Sequence, residues 1–113
     1  MPRANGNNAG SPMADANDKN AVRRLSLRFV GEVQGVGFRW TSQRLANQIG
    51  LTGWVRNEWD GSVSMELQGT SAQIASFFGR LPQAWGRFAP QYTIDETEDL
   101  PVRDDEGNFR VRF

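Results

Sequence analysis

From Val22 onward the chain alternates. Leu25, Leu27 and Phe29 fall on one side of an extended segment, and Arg24, Ser26 and Arg28 on the other. This is the two-residue period of a strand with one buried face, and it predicts a first strand over about 22–34. At Phe38 the period lengthens. Phe38, Ser42, Leu45, Ala46 and Ile49 share one face of a helix that begins near Phe38 or Arg39 and stops at Gly50, a residue suited to the left-handed position after a helix. A second strand is expected over about Leu51–Glu58. Asp60-Gly61 then signals a hairpin leading into a third strand, with Val63, Met65 and Leu67 on one face and Ser62, Ser64, Glu66 and Gln68 on the other. Thr70 and Gln73 have the spacing of a capping box ahead of a second helix, whose stripe is Ile74, Phe77, Phe78 and Leu81 and whose end is marked by Pro82. Gln83–Gln91 reads as a loop, Tyr92–Glu96 as a fourth strand, and the acidic run Thr97–Gly107 as a solvated loop. Phe109, Val111 and Phe113, alternating with Arg110 and Arg112, predict a short final strand.

The element order is βαββαβ with one more strand at the end. It predicts an α+β sandwich, two helices covering one face of an antiparallel sheet. Residues 1–22 are rich in Asn, Gly, Ala, Asp and Ser and poor in large apolar side chains. Such a segment buries too little surface to offset its ordering entropy, so a disordered extension (1–22) is expected ahead of one domain (23–113).

Composition narrows the chemistry. Formal net charge is zero and the pI is about 6.2, which does not suggest a bulk electrostatic grip on nucleic acid or an anionic membrane. No run is long and apolar enough for a transmembrane helix, and the N-terminus lacks a signal-peptide core. A cytoplasmic protein is expected. There is no cysteine and no histidine. Thiolate nucleophiles, imidazole bases and His- or Cys-anchored metal sites are therefore excluded. Chemistry without imidazole or thiol favours a reaction with a good leaving group.

The stretch Gly31-Glu32-Val33-Gln34-Gly35-Val36-Gly37-Phe38-Arg39 joins the first strand to the first helix. Its glycines permit a tight turn, and the helix start adds unpaired N–H groups and a positive dipole end. Arg39, in the first turn, is placed to fold a guanidinium fork over the loop. Together these make a pocket for a small tetrahedral anion, most simply a phosphoryl group. Read alone, the loop is equally a plain connection. It is neither a Walker A loop, lacking Gly-Lys-Ser/Thr, nor a dinucleotide fingerprint, lacking a third glycine.

A second stretch, Gly53-Trp54-Val55-Arg56-Asn57, is followed by Gly61-Ser62-Val63 and Gly69. With Gly31, Val33-Gln34-Gly35-Val36 and Phe38-Arg39, it resembles the two signatures of the acylphosphatase family, over roughly Arg24–Phe113. The resemblance implies a ferredoxin-like fold and hydrolysis of small acyl phosphates without metal or other cofactor. It also implies that Arg39 and Asn57 are the catalytic pair. Arg39 would grip the phosphoryl oxygens, the backbone N–H groups of Gln34, Gly35, Val36, Gly37 and Phe38 would bind the remaining ones, and Asn57 would orient the attacking water. An acyl phosphate suits a chain without histidine, because its carboxylate leaving group, of conjugate-acid pKa ~4, departs without a general acid.

The expected partners are a small acyl phosphate and inorganic phosphate, the latter as product and competitive inhibitor. Neither nucleic acid nor membrane is expected, and a monomer is the default. The competing readings are a carbamoyl phosphate module of a longer chain, a sheet that binds RNA through aromatic side chains, and a purely structural member. Trp59, beside the hairpin turn, is a candidate neighbour of the acyl end, and Trp54 is expected to pack within its motif.

Overall fold

The computed structural model describes residues 18–113. The strands are β1 (Val22–Gly31), β2 (Thr52–Asn57), β3 (Val63–Thr70), β4 (Tyr92–Leu100) and β5 (Phe109–Arg112). The helices are α1 (Phe38–Ile49) and α2 (Ser71–Arg80). One sheet contains every strand among the described residues, in the order β4-β1-β3-β2-β5. The α+β sandwich expected from the element order holds, in the ferredoxin-like form that the resemblance implies. The last pairing is parallel, however, β5 running alongside β2, so the sheet is mixed.

Register carries the alternation of β1 across the sheet. Leu25 lies opposite Leu67, Leu67 opposite Gly53, and Gly53 opposite Phe109. Leu27, Met65, Val55 and Val111 form the next such row. These rows face α1 and α2 and form the core with Phe29, Phe38, Leu45, Ala46, Ile74 and Phe77. A slip of one residue would turn every one of these side chains to the other face. Gly53 shows how tightly the row is packed. A Cβ there would lie 1.9 Å from the Glu66 carbonyl oxygen, and its φ of +137° disfavours any L side chain. Helix α2 carries the expected capping box: Gln73 N–H donates to Thr70 Oγ1 (3.1 Å) and Thr70 N–H donates to Gln73 Oε1 (2.8 Å). The spare Nε2–H of Gln73 donates to the carbonyl of Ile49 and ties the two helices together.

Several boundaries differ from the sequence expectation. The first strand ends at Gly31, because Val33 N–H turns back to the Gly31 carbonyl and begins the loop. The fourth strand does not stop at Glu96. Thr97, Glu98 and Asp99 pair with Leu27, Ser26 and Leu25, and a bulge falls between Arg28 and Phe29 on the partner strand. The acidic side chains of Glu98 and Asp99 are exposed, as expected of the run, with Asp99 paired to Arg23 at the surface. Backbone pairing along the free edge of β1 thus overrides a composition that favours loop. The extension expected over 1–22 lies outside the described residues as far as residue 17. From there the Lys19 and Ala21 carbonyls accept hydrogen bonds from the first turn of α2.

The larger departure is Arg24. Strand alternation places it on the face away from the helices, yet it is only 1% exposed. The segment after β4 crosses that face and covers it. Arg24 donates to Glu66 (2.9 Å), Gln68 (3.1 Å) and both carboxylate oxygens of Glu106 (2.7 and 3.0 Å). Gln68 in turn clasps the backbone of Arg103 through both ends of its amide. Glu106, expected in a solvated loop, is therefore a buried-side anchor. Hydrogen bonding from Arg24 holds its carboxyl below the ordinary value of 4.5, against the opposing effect of burial.

Two outcomes follow. Glu106→Ala, which leaves Arg24 with one carboxylate, is expected to cost about 2–3 kcal/mol, less than a fully uncompensated buried charge, in urea unfolding. Because the folded-state pKa of Glu106 is depressed, its contribution is complete above about pH 4.5 and is lost as pH falls through the folded value. The urea midpoint of the wild type should therefore fall on acidification below that range, and Glu106→Gln should flatten part of the fall.

Candidate active site

The loop between β1 and α1 is held from three sides. At its start, Glu32 N–H donates to the Gln91 carbonyl (2.8 Å) and the Glu32 carboxylate accepts from Gln91 N–H (3.0 Å). In the middle, the Gln34 amide donates to the carbonyls of Glu58 and Ser62, both at 2.8 Å, and so fastens the loop to the β2–β3 hairpin. At its end, Trp85 Nε1–H donates to the Val36 carbonyl (3.1 Å), and the indole stacks on Phe38 with centroids 5.9 Å apart. Phe29 and Tyr92 pack edge-on against Phe38 beneath. The sequence identified the loop but not Trp85, which lies in a stretch that reads only as a connection.

Gly35 and Gly37 have φ of +77° and +76°. A Cβ at either would meet nothing within 4 Å, so the demand for glycine is one of backbone dihedral and not of space. With these turns in place, the backbone N–H groups of Gln34, Gly35, Val36, Gly37 and Phe38 make no hydrogen bond among the described residues. Helix α1 begins at Phe38 with no side-chain cap and no acidic residue in its first turn. Its positive dipole end is thus left uncompensated beside those amides.

Arg39 and Asn57 reach this place from different elements. Arg39 is in the first turn of α1. It is half-buried, with no carboxylate at ion-pair distance among the described residues. Its guanidinium carbon stands 5.0 Å over the ring of Phe113. Asn57 ends β2 and pairs with Val63, which puts it on the helix-facing side in the row of Phe29. Its Oδ1 is sealed from solvent and accepts no hydrogen bond among the described residues. Leaving such an acceptor unsatisfied costs about 1–3 kcal/mol.

Val33, Gly35, Gly37, Phe38, Arg39, Trp40 and Asn57 line one cleft of about 180 Å³. It offers a fixed cation, free amides and a carboxamide, and no carboxyl. The acids on the hairpin are engaged elsewhere. Ser62 and Arg28 hold Asp60 down at about 2, and Ser64 and Arg56 hold Glu58 below its ordinary value. No group here is poised to donate a proton at neutral pH. A larger recess of about 450 Å³ lies beside Trp54 and Arg110, but its Asp105 and Glu106 are taken by Arg103 and Arg24. Trp54 faces that side, between Arg56 and Arg112, and not the core.

The family model described as acylphosphatase matches residues 25–111. The chain belongs to the acylphosphatase family. A relative named acylphosphatase from Salinibacter ruber (strain DSM 13855 / M31) is 50% identical over 94 residues, covering 80% of this chain and 93% of the relative. Among solved structures, an acylphosphatase from Coxiella burnetii superposes with a TM-score of 0.63 at 31% identity, covering 80% of this chain and 93% of that one. The acylphosphatase from Bacillus subtilis gives 0.65 at 26%, covering 80% and 99%.

Gln34 ties the loop after β1 to the β2–β3 hairpin. Gln34→Ala removes two hydrogen bonds to carbonyls that each keep another partner, Gly61 N–H for Glu58 and Glu58 N–H for Ser62. The expected loss is about 1–2 kcal/mol in urea unfolding. Loss of a few tenths or less would show that the loop is held by its other two anchors alone.

Proposed function

We propose that the protein hydrolyses small acyl phosphates by in-line attack of water at phosphorus, without a metal ion. The family's reaction is hydrolysis of acyl phosphates, and the observation that carries the reading here is the content of the cleft. It places a guanidinium and unpaired amides beside a carboxamide, with no acid. A dianionic phosphoryl group matches the first two, with Arg39 gripping two oxygens as a planar fork and the N–H groups of residues 34–38 taking the others. As charge builds on the equatorial oxygens, these donors, already fixed, stabilise it without reorganising. Asn57, too weak a base to take a proton, orients the water through its amide. The bond from the water oxygen to phosphorus forms as the bond from phosphorus to the acyl oxygen breaks. The carboxylate leaves with that electron pair, and the water's proton passes to a phosphate oxygen. A carboxylate needs no general acid to depart, which suits a cleft without one.

On this reading inorganic phosphate is both product and competitive inhibitor, and the working form is a cytoplasmic monomer. No helix among the described residues is long and apolar enough to cross a membrane.

Arg39→Ala is expected to lower kcat/KM for benzoyl phosphate by at least about 10²–10³-fold and to abolish the rise in Tm that phosphate gives the wild type. Asn57→Ala should lose turnover to a similar degree yet keep the phosphate-induced rise. Arg110→Ala, at an exposed position of β5, serves as a control with activity near wild type. Assays in EDTA followed by ultraviolet absorbance measure all three. Near-full activity of Asn57→Ala would contradict the water-orienting role.

A further inference from the structure

The mouth of the cleft is rimmed by large apolar side chains that packing does not explain. Trp40, one residue beyond Arg39, lines the cleft and is 56% exposed. Phe113 is 87% exposed, and Val36, on the loop itself, is 41% exposed. Exposed apolar groups scattered singly need no explanation, but contiguous ones beside a polar pocket mark a contact surface. Trp40 and Phe113 are contiguous. The Trp40 and Phe113 rings lie 6.5 Å apart, tilted 54°, and the guanidinium of Arg39 sits over Phe113.

The position of Phe113 follows from strand alternation. Phe109 is buried in the core row beside Gly53, Val111 lies beside Val55, and Phe113 continues the same alternation beyond the end of β5. It emerges at the level of the first turn of α1. Two separate elements thus bring aromatic faces to the one side chain that grips the phosphoryl group.

We infer that Trp40 and Phe113 form an acyl subsite that makes the enzyme prefer aromatic or otherwise bulky apolar acyl phosphates over acetyl phosphate. This rests on the reading of the cleft as the site of acyl phosphate hydrolysis. With the phosphoryl group held by Arg39 and the loop amides, the acyl substituent projects toward the mouth, where the neighbours of Arg39 are these two rings. An aryl group packed against this pair of rings removes apolar surface of both from water, whereas a methyl group covers little of either. Stacking of the guanidinium on Phe113 also limits the rotamers of Arg39, so phosphoryl grip and acyl contact share one rigid edge. Trp59, the aromatic residue that the sequence placed as a candidate neighbour of the acyl end, is 96% exposed and does not line the cleft.

The test compares kcat/KM for benzoyl phosphate and acetyl phosphate, using the ratio of the two as the readout. The wild type should favour benzoyl phosphate by about tenfold or more, the scale at which an apolar pocket discriminates. Trp40→Ala should cut that ratio by about tenfold through KM for the aromatic substrate. Trp40→Phe should restore most of it, and Trp59→Ala should leave it unchanged. A ratio in Trp40→Ala within twofold of wild type, with both substrates still turned over, would overturn the subsite while leaving the reaction intact. Failure of the wild type to hydrolyse either substrate would overturn the reaction and the subsite together.

Discussion

A guanidinium and a set of backbone amides can bind a phosphoryl group tightly only if they already point at one place before it arrives. Unpaired N–H groups in a flexible loop would turn to water or to nearby carbonyls. Here they meet no protein acceptor among the described residues, and Gly35, Val36 and Gly37 stay open to solvent. Positive φ at Gly35 and Gly37 turns the amides outward, while Gln34, Glu32 and Trp85 each fix one part of the loop to a different element. The sheet supplies the rest. Pairing of β2 with β3 sets Asn57 in the helix-facing row, and the packing of Phe38 against Phe29 and Tyr92 sets the start of α1, and with it Arg39. These contacts fix the loop and the first turn of α1 before any ligand arrives, so the donors need little reorganisation.

Charge elsewhere is arranged so that it does not compete. The chain is formally neutral. Asp99 and Asp95 of β4 are paired by Arg23 and Arg28, and Glu106 and Asp105 of the strap after it by Arg24 and Arg103. Asp60, on the hairpin next to the site, is held by Ser62 and Arg28. Arg39 is therefore left without a carboxylate partner among the described residues, and its charge is available to a ligand. A single unpaired carboxylate within a few ångströms would oppose binding of a dianion by like-charge repulsion.

Much of this was legible in the sequence because its signals were local. The two-residue period of β1, the helical face after Phe38, the Thr70–Gln73 cap and the Asp60-Gly61 turn each depend on neighbours in the chain, and each falls where expected. Arg39 and Asn57 were identifiable through their motifs, and the fold brings both to one cleft. What escaped depends on distant partners. Nothing near Trp85 indicates that its indole closes a loop 49 positions earlier. Arg24 read as a solvent-facing strand residue because the segment carrying Glu106, 82 positions away, covers it. The parallel insertion of β5 and the extension of β4 to Leu100 are likewise decided by which sheet edge is free, which local propensity does not encode.

The central claim is that water attacks phosphorus, held by the loop amides and Arg39, and not the acyl carbon. Hydrolysis in ¹⁸O-labelled water, with EDTA present and products resolved by mass spectrometry, tests it directly. Attack at phosphorus puts the label in inorganic phosphate and leaves the carboxylate unlabelled. Label in the carboxylate would mean attack at the acyl carbon, and the assignment of the cradle as a phosphoryl site activated for displacement would be wrong.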